Sequence, residues 1–289
     1  MTQGTITTAD GRTIGFADYG SPDQVAVLWC HGAPSSRLEP KPFAPAFARA
    51  GLRIISIDRP GYGRSTAQPG RTIGGWAADA LAVVDHLRID RFAVVGLSTG
   101  GSHALAVAAA SRQVMAAVAC CAVSDMRWSE GKALMPTALP VWMAPSRDAA
   151  LAIVTEAFGE KGEKTNPETS DDTLAESDRA MLADPAYRTW WPDSMPETFA
   201  QGVVGYVDDR LADGQGWGSF DVAAITCPVA VIHGTSDRLV PVAHARHTAA
   251  IVPGAVLETF DGLGHFSIAR EVVNSVTPLI RGGRPAVRS

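Results

Sequence analysis

Phe92-Ala93-Val94-Val95-Gly96-Leu97-Ser98-Thr99-Gly100-Gly101 couples an unbroken apolar run to a glycine-flanked serine, and an alanine-rich stretch ending near Ser111 follows at once. A continuous apolar run closed by glycine reads as a strand buried on both faces, as in parallel sheets covered by helices. The alanine-rich stretch reads as a helix. Strand, sharp turn and helix in that order push a serine hydroxyl out at the carboxyl edge of a sheet. Gly96 and Gly100 leave room for the strained backbone between them. The same turn aims the Thr99 backbone N–H and the positive end of the helix at the place where an oxyanion would form.

Outward from this point the same alternation repeats. Strands are predicted near Thr5–Thr8, Thr13–Tyr19, Val25–Cys30, Arg53–Ile57, Val114–Val123, Val229–His233 and Val256–Phe260. Helices are predicted around Pro45–Ala50, Gly75–Leu87, Val242–Ile251 and Ile268–Ile280. The pattern predicts an α/β fold with an eight-stranded, mostly parallel sheet flanked by helices. It breaks between Met126 and Asp221, where prolines separate short helical stretches and no strand is convincing. The expected organisation is therefore a core of residues 1–125 and 222–289 with a helical lid inserted at 126–221. That insertion holds Trp128, Trp142, Trp190, Trp191 and Trp217 together with Met126, Met135, Met143, Met181 and Met195. Aromatics and thioethers offer large, adaptable apolar contact, so Trp128, Trp142, Trp190 and Trp191 are candidates for a substrate-binding wall.

Four further segments carry a resemblance. Cys30-His31-Gly32-Ala33-Pro34 follows the third strand, and Asp58-Arg59-Pro60-Gly61-Tyr62-Gly63-Arg64-Ser65 follows the fourth. His233-Gly234-Thr235-Ser236-Asp237 and Gly262-Leu263-Gly264-His265 follow the last two. With the serine turn, these segments resemble the α/β-hydrolase fold family over nearly the whole chain. The resemblance implies Ser98 as nucleophile, Asp237 as acid, His265 as base, and the Ala33 backbone N–H as the second oxyanion donor beside Thr99. Chemistry asks for the same groups independently: a serine hydroxyl needs an imidazole base, whose other nitrogen a carboxylate must hold. Ser98, Asp237 and His265 also meet the chain order of nucleophile, acid and histidine.

Rival residues are weighed by position. Some members of the family place the acid after the sixth strand, where Asp125 stands as the alternative. Asp58 begins a Pro-Gly turn and Asp261 shapes the turn before His265. His31 and His233 are expected to hold loops by hydrogen bonds, and His103 to pack within its helix. His86, His244 and His247 are expected at surface or boundary positions on helices. Epoxide hydrolases and haloalkane dehalogenases share the fold but need a carboxylate where Ser98 stands.

Composition bounds the remainder. A net charge of −5 and a sequence pI near 5.8 provide no basic footprint for nucleic acid. No apolar run reaches membrane-spanning length, and Met1-Thr2-Gln3-Gly4-Thr5 has no signal-peptide character, so a soluble cytoplasmic protein is expected. Cys30, Cys120, Cys121 and Cys227 sit in or beside apolar runs without zinc spacing. Gly61-Tyr62-Gly63 lacks the third glycine of a dinucleotide loop. No metal or cofactor is expected, and the partner would be a small, apolar substrate. The terminal Arg281, Arg284, Pro285 and Arg288 read as a solvated end.

Cleavage of a carboxylic ester through an acyl-enzyme is the expectation that follows. The same three side chains would serve carbon–carbon bond or lactone hydrolysis, perhydrolysis, amino-terminal peptide cleavage or a biosynthetic step. A ligand receptor on the same scaffold is the reading outside catalysis.

Overall fold

A computed structural model describes residues 1–164 and 173–283 of the chain. Arg284, Pro285 and Arg288 lie outside the described residues. Eight strands, β1 (Thr2–Thr7), β2 (Thr13–Tyr19), β3 (Val25–Cys30), β4 (Leu52–Ile57), β5 (Phe92–Leu97), β6 (Val114–Cys120), β7 (Val229–Gly234) and β8 (Val256–Phe260), form one sheet. Their order is β1-β2-β4-β3-β5-β6-β7-β8, antiparallel as far as β4 and parallel from there onward.

Alternation along β5 explains why the run is apolar throughout. Val94 packs into the core on one face, while Ala93, Val95 and Leu97 pack into the core on the other. The first face is covered by α2 (Trp76–His86) and α3 (Thr99–Ala110), which supply Trp76, Val83, Leu105 and Val107. The second face is covered by α1 (Ala44–Arg49) and by the C-terminal helix Val272–Ile280, which supply Phe47, Val272, Val276 and Leu279. Both layers exclude water, which is what a parallel sheet requires.

Between β6 and β7 the described residues form only helices. These are α4 (Ser129–Ala133), α5 (Leu139–Trp142), α6 (Arg147–Phe158), α7 (Glu176–Ala183), α8 (Trp190–Thr198) and α9 (Val204–Gln215). They carry their own apolar cluster, in which Val154, Phe158, Phe199, Val203 and Tyr206 close on Tyr62 from the loop after β4. The chain ends through α10 (Ala243–Ile251) and α11 (Val272–Ile280). Among the described residues no helix is long and apolar enough to cross a membrane.

The predicted strand Val114–Val123 stops early, at Cys120. Cys121 takes a φ of 44°, which no strand accommodates, so the apolar residues after it are buried without being extended. This break directs the chain away from the sheet beside Ser98. Because β3, β5, β6, β7 and β8 run parallel, their ends lie at one edge, where open α/β sheets hold their ligands.

Candidate active site

Ser98 stands between β5 and α3 at φ 53° and ψ −127°, a backbone conformation that side-chain-bearing residues rarely adopt. The two glycines make the turn possible by close approach. A Cβ on Gly96 would run into the Gly100 carbonyl, and one on Gly100 into the Cys30 carbonyl of the neighbouring strand. The turn is tied at both ends: the Ser98 N–H donates to Cys120 O and the Gly101 N–H to Ser98 O, each at 2.9 Å.

The loops after β7 and β8 bring an acid and an imidazole together. His265 Nδ1 lies 2.7 Å from Asp237 Oδ2, and both side chains are buried. The other oxygen, Oδ1, accepts the Leu239 and Val240 N–H groups at 2.9 Å each. An ionised carboxylate can only accept, so the proton belongs on Nδ1, and Nε2 is the nitrogen that can accept one. Burial works against charge on His265, but the Asp237 carboxylate outweighs it and holds the imidazole well above its ordinary value. Asp237 responds in kind: burial would raise it, yet the imidazoles of His265 and His233 keep it well below the usual carboxylate range.

Ser98 and His265 line one cavity of about 170 Å³, together with Ala33, Cys121, Trp190, Trp191 and Phe266. Among the described residues neither the Ala33 nor the Thr99 backbone N–H donates to another protein group. The preceding Gly32 N–H differs, donating to Glu39 Oε1 at 2.9 Å. A carbonyl held beside Ser98 in this cavity would meet a hydroxyl and an imidazole, with Ala33, whose N–H is uncommitted, in the same wall.

Other predicted residues fall elsewhere. Asp125 does not reach His265; it accepts from the Arg127 guanidinium at 2.7 Å and from the Trp217 N–H at 2.9 Å, so it fastens the start of the helical segment to its end. Of the four candidate tryptophans, Trp190 and Trp191 line the cavity and Trp128 and Trp142 do not. Trp128 stacks on His247 with ring centroids 4.2 Å apart, and Trp142 packs with Val123, Met126, Met135 and Val240. These corrections share a reason, since an apolar side chain on a short helix serves whichever surface that helix covers. His244, expected at a boundary, is fully buried and accepts the Ser124 N–H. His31 and His103 hold backbone as expected, His31 accepting the Arg59 N–H and His103 bonding Thr99 O.

Two side chains at this site were not anticipated. The Cys121 thiol contacts the His265 ring, and burial raises it well above its ordinary value, keeping it protonated. Cys121, Asp237 and His265 offer ligating atoms within 4.8 Å of one another. A metal there would have to break the His265–Asp237 hydrogen bond, so the set reads better as an acid–base pair with a neighbouring thiol.

Asp178 of α7 is the other. Its buried carboxylate accepts the His265 N–H at 2.9 Å, the Phe266 N–H at 3.0 Å, and the Ser267 N–H and hydroxyl at 2.8 Å each. It clamps the loop that carries the imidazole from a helix distant in sequence. Asp178→Ala would strand those donors, each costing about 1–3 kcal/mol when buried and unsatisfied. The variant is expected to melt several degrees lower and to lose more than about tenfold in kcat; an unchanged melting temperature and kcat would show that the clamp is dispensable.

Sequence and structure comparisons agree with this fold. The profile of the alpha/beta hydrolase fold matches residues 25–271. A non-heme chloroperoxidase of Streptomyces lividans is 28% identical over 281 residues, covering 94% of this chain and 96% of the relative. The bifunctional esterase/perhydrolase DCH of Acinetobacter calcoaceticus is 26% identical over 274 residues, covering 91% and 92%. In three dimensions a thermophilic esterase from Thermogutta terrifontis superposes with a TM-score of 0.69 at 22% identity, covering 98% of this chain and 97% of that one. That last likeness is one of fold.

Proposed function

The chain belongs to the α/β-hydrolase fold family, and from that membership we propose that it is a serine hydrolase that cleaves carboxylic esters through an acyl-enzyme on Ser98. The observation that carries the reading is a serine on a strained strand–helix turn, sharing a cavity with an imidazole held 2.7 Å from a buried carboxylate.

Ser98 Oγ attacks the ester carbonyl as His265 Nε2 takes its proton. His265 then gives that proton to the leaving alkoxide, and the acyl group stays on Ser98. Water, deprotonated by the same imidazole, releases the acid and restores the serine. The Ala33 and Thr99 N–H groups hold the oxyanion, a contribution of about 2.7–4 kcal/mol per donor at comparable sites. Asp237 keeps Nδ1 protonated and stabilises the imidazolium.

Helices α4 to α9 act as a lid over this site. Trp190, Trp191, Met135 and Phe266 make its wall apolar, which supports a small to medium apolar substrate. Turnover of 4-nitrophenyl acetate, butyrate and octanoate tests this reading, and the two shorter esters are expected to turn over faster. Labelling of Ser98 by a fluorophosphonate with no turnover of any ester would refute ester hydrolysis as the reaction.

A second reading is favoured by the names of the relatives, one a chloroperoxidase and one an esterase/perhydrolase. Hydrogen peroxide would replace water in the second step: its oxygen attacks the acyl carbon, the Ser98–acyl bond breaks, and a peracid leaves. Peracid formation from acetate ester and peroxide, absent in Ser98→Ala, would support it.

A further inference from the structure

The helix α9 carries three buried acids, Asp208, Asp209 and Asp213, although no catalytic step calls on them. Two of them lead by short chains of contacts to the two N–H groups that would hold the oxyanion. Asp209 is fully buried and receives Arg59, whose Nη2 lies 2.7 Å from Oδ2 and whose Nε lies 3.0 Å from the same oxygen. Arg59 in turn donates to the His31 carbonyl and, at 2.8 Å, to the Gly32 carbonyl.

That last contact matters because a peptide unit is rigid. The Gly32 C=O and the Ala33 N–H belong to one planar group and point in opposite directions. A guanidinium gripping the carbonyl therefore aims the N–H the other way. Asp213 works on the second donor: its Oδ2 accepts the Thr99 hydroxyl at 3.0 Å and holds Arg210 Nη1 at 3.3 Å, while Arg210 Nη2 reaches Ala33 O at 3.4 Å. Arg71 supports the arrangement from behind, donating to Asp209 Oδ1 at 2.6 Å.

Burying this many charges is costly unless each is paired and directed. A purely structural purpose would be served as well by apolar packing of the same volume. A fork with fixed geometry is what orientation of a backbone group demands.

We propose that Asp209 and Asp213 of α9 are positioning residues for the oxyanion-binding N–H groups of Ala33 and Thr99, Asp209 acting through Arg59 and Asp213 through the Thr99 hydroxyl. The inference rests on the reading of Ser98 as nucleophile. It makes the helical segment part of the catalytic apparatus: α9 sets where the oxyanion donors point. Neither acid touches substrate.

Thr99→Val, which deletes the hydroxyl at constant shape, and Arg59→Lys, which keeps the charge but loses the fork, separate orientation from folding. In each variant kcat and KM for 4-nitrophenyl acetate, the affinity of a trifluoromethyl ketone and the melting temperature are measured. Both variants are expected to lose about 10- to 100-fold in kcat with KM within about threefold of the parent, and to bind the ketone more weakly by the same factor as kcat. Asp209→Asn, which keeps an acceptor for Arg59, is expected to lose less than Arg59→Lys. Folded variants with unchanged kcat and ketone affinity would overturn the proposal, as would a rise in KM at constant kcat. Labelling of the parent by a fluorophosphonate is the control: if it survives Ser98→Ala, the nucleophile reading itself has failed, whereas Ser98-dependent labelling with unchanged variants removes only the role of α9.

Discussion

Ser98→Ala is expected to lower kcat by about 10⁶-fold, the loss seen when a serine nucleophile of this type is removed, while leaving the fold intact. An effect this large follows from the proposed mechanism, in which the hydroxyl is the one group that bonds to substrate and His265 would have no proton to accept once it is gone. Residual activity of roughly 10³- to 10⁴-fold over water would persist from the oxyanion donors and binding alone. Stability should change little, since the Ser98 side chain is only half-buried and alanine keeps a Cβ at φ 53°. A kcat within tenfold of the parent on any substrate that the parent turns over would rule out Ser98 as the nucleophile.

Asp237→Asn is the second large effect. The amide keeps the shape of the carboxylate and can still accept the Leu239 and Val240 N–H groups. Its NH₂ can face His265 Nδ1, which then must act as acceptor and move its proton to Nε2. An imidazole in that tautomer cannot take the Ser98 proton, and kcat is expected to fall about 10⁴-fold. The pH dependence adds a signed test. Asp237 holds His265 above its ordinary value, so in the parent the neutral, active base appears as pH rises through that elevated pKa. Loss of the carboxylate removes the cause of the elevation, and the acidic limb of the residual activity should move to lower pH. Movement to higher pH, or none, would mean that Asp237 does not set the charge of His265.

Much of this site is readable from the sequence because its signals are local. The limits of β2, β3, β5 and β8 coincide with the apolar runs, and the serine turn announces itself by its glycines. Where the reading failed, hydrophobicity had reported burial without geometry. Cys121, Ala122 and Val123 are as apolar as a strand and as buried as one, yet the chain turns at Cys121 to pass the imidazole. Trp128 and Trp142 bear the same composition as Trp190 and Trp191 but cover other surfaces.

The acids were illegible for a different reason. Val207-Asp208-Asp209-Arg210-Leu211-Ala212-Asp213 looks like the solvated face of a helix, yet Asp209 is buried where Arg59 and Arg71 meet it from more than a hundred positions away. Asp178 is similar, since its partners are backbone N–H groups at His265, Phe266 and Ser267, which no side-chain pattern records. Charge in a sequence states a need for partners; only the fold names them.

Cys121 offers a second potential nucleophile in the same cavity as Ser98, in contact with the same imidazole. Treatment of the intact protein with a fluorophosphonate, followed by proteolysis and mass mapping of the adduct, decides between them. A single phosphonyl group is expected on Ser98, absent from Ser98→Ala and undiminished in Cys121→Ala. An adduct on Cys121, or one that survives the loss of Ser98, would contradict the reading of Ser98 as nucleophile.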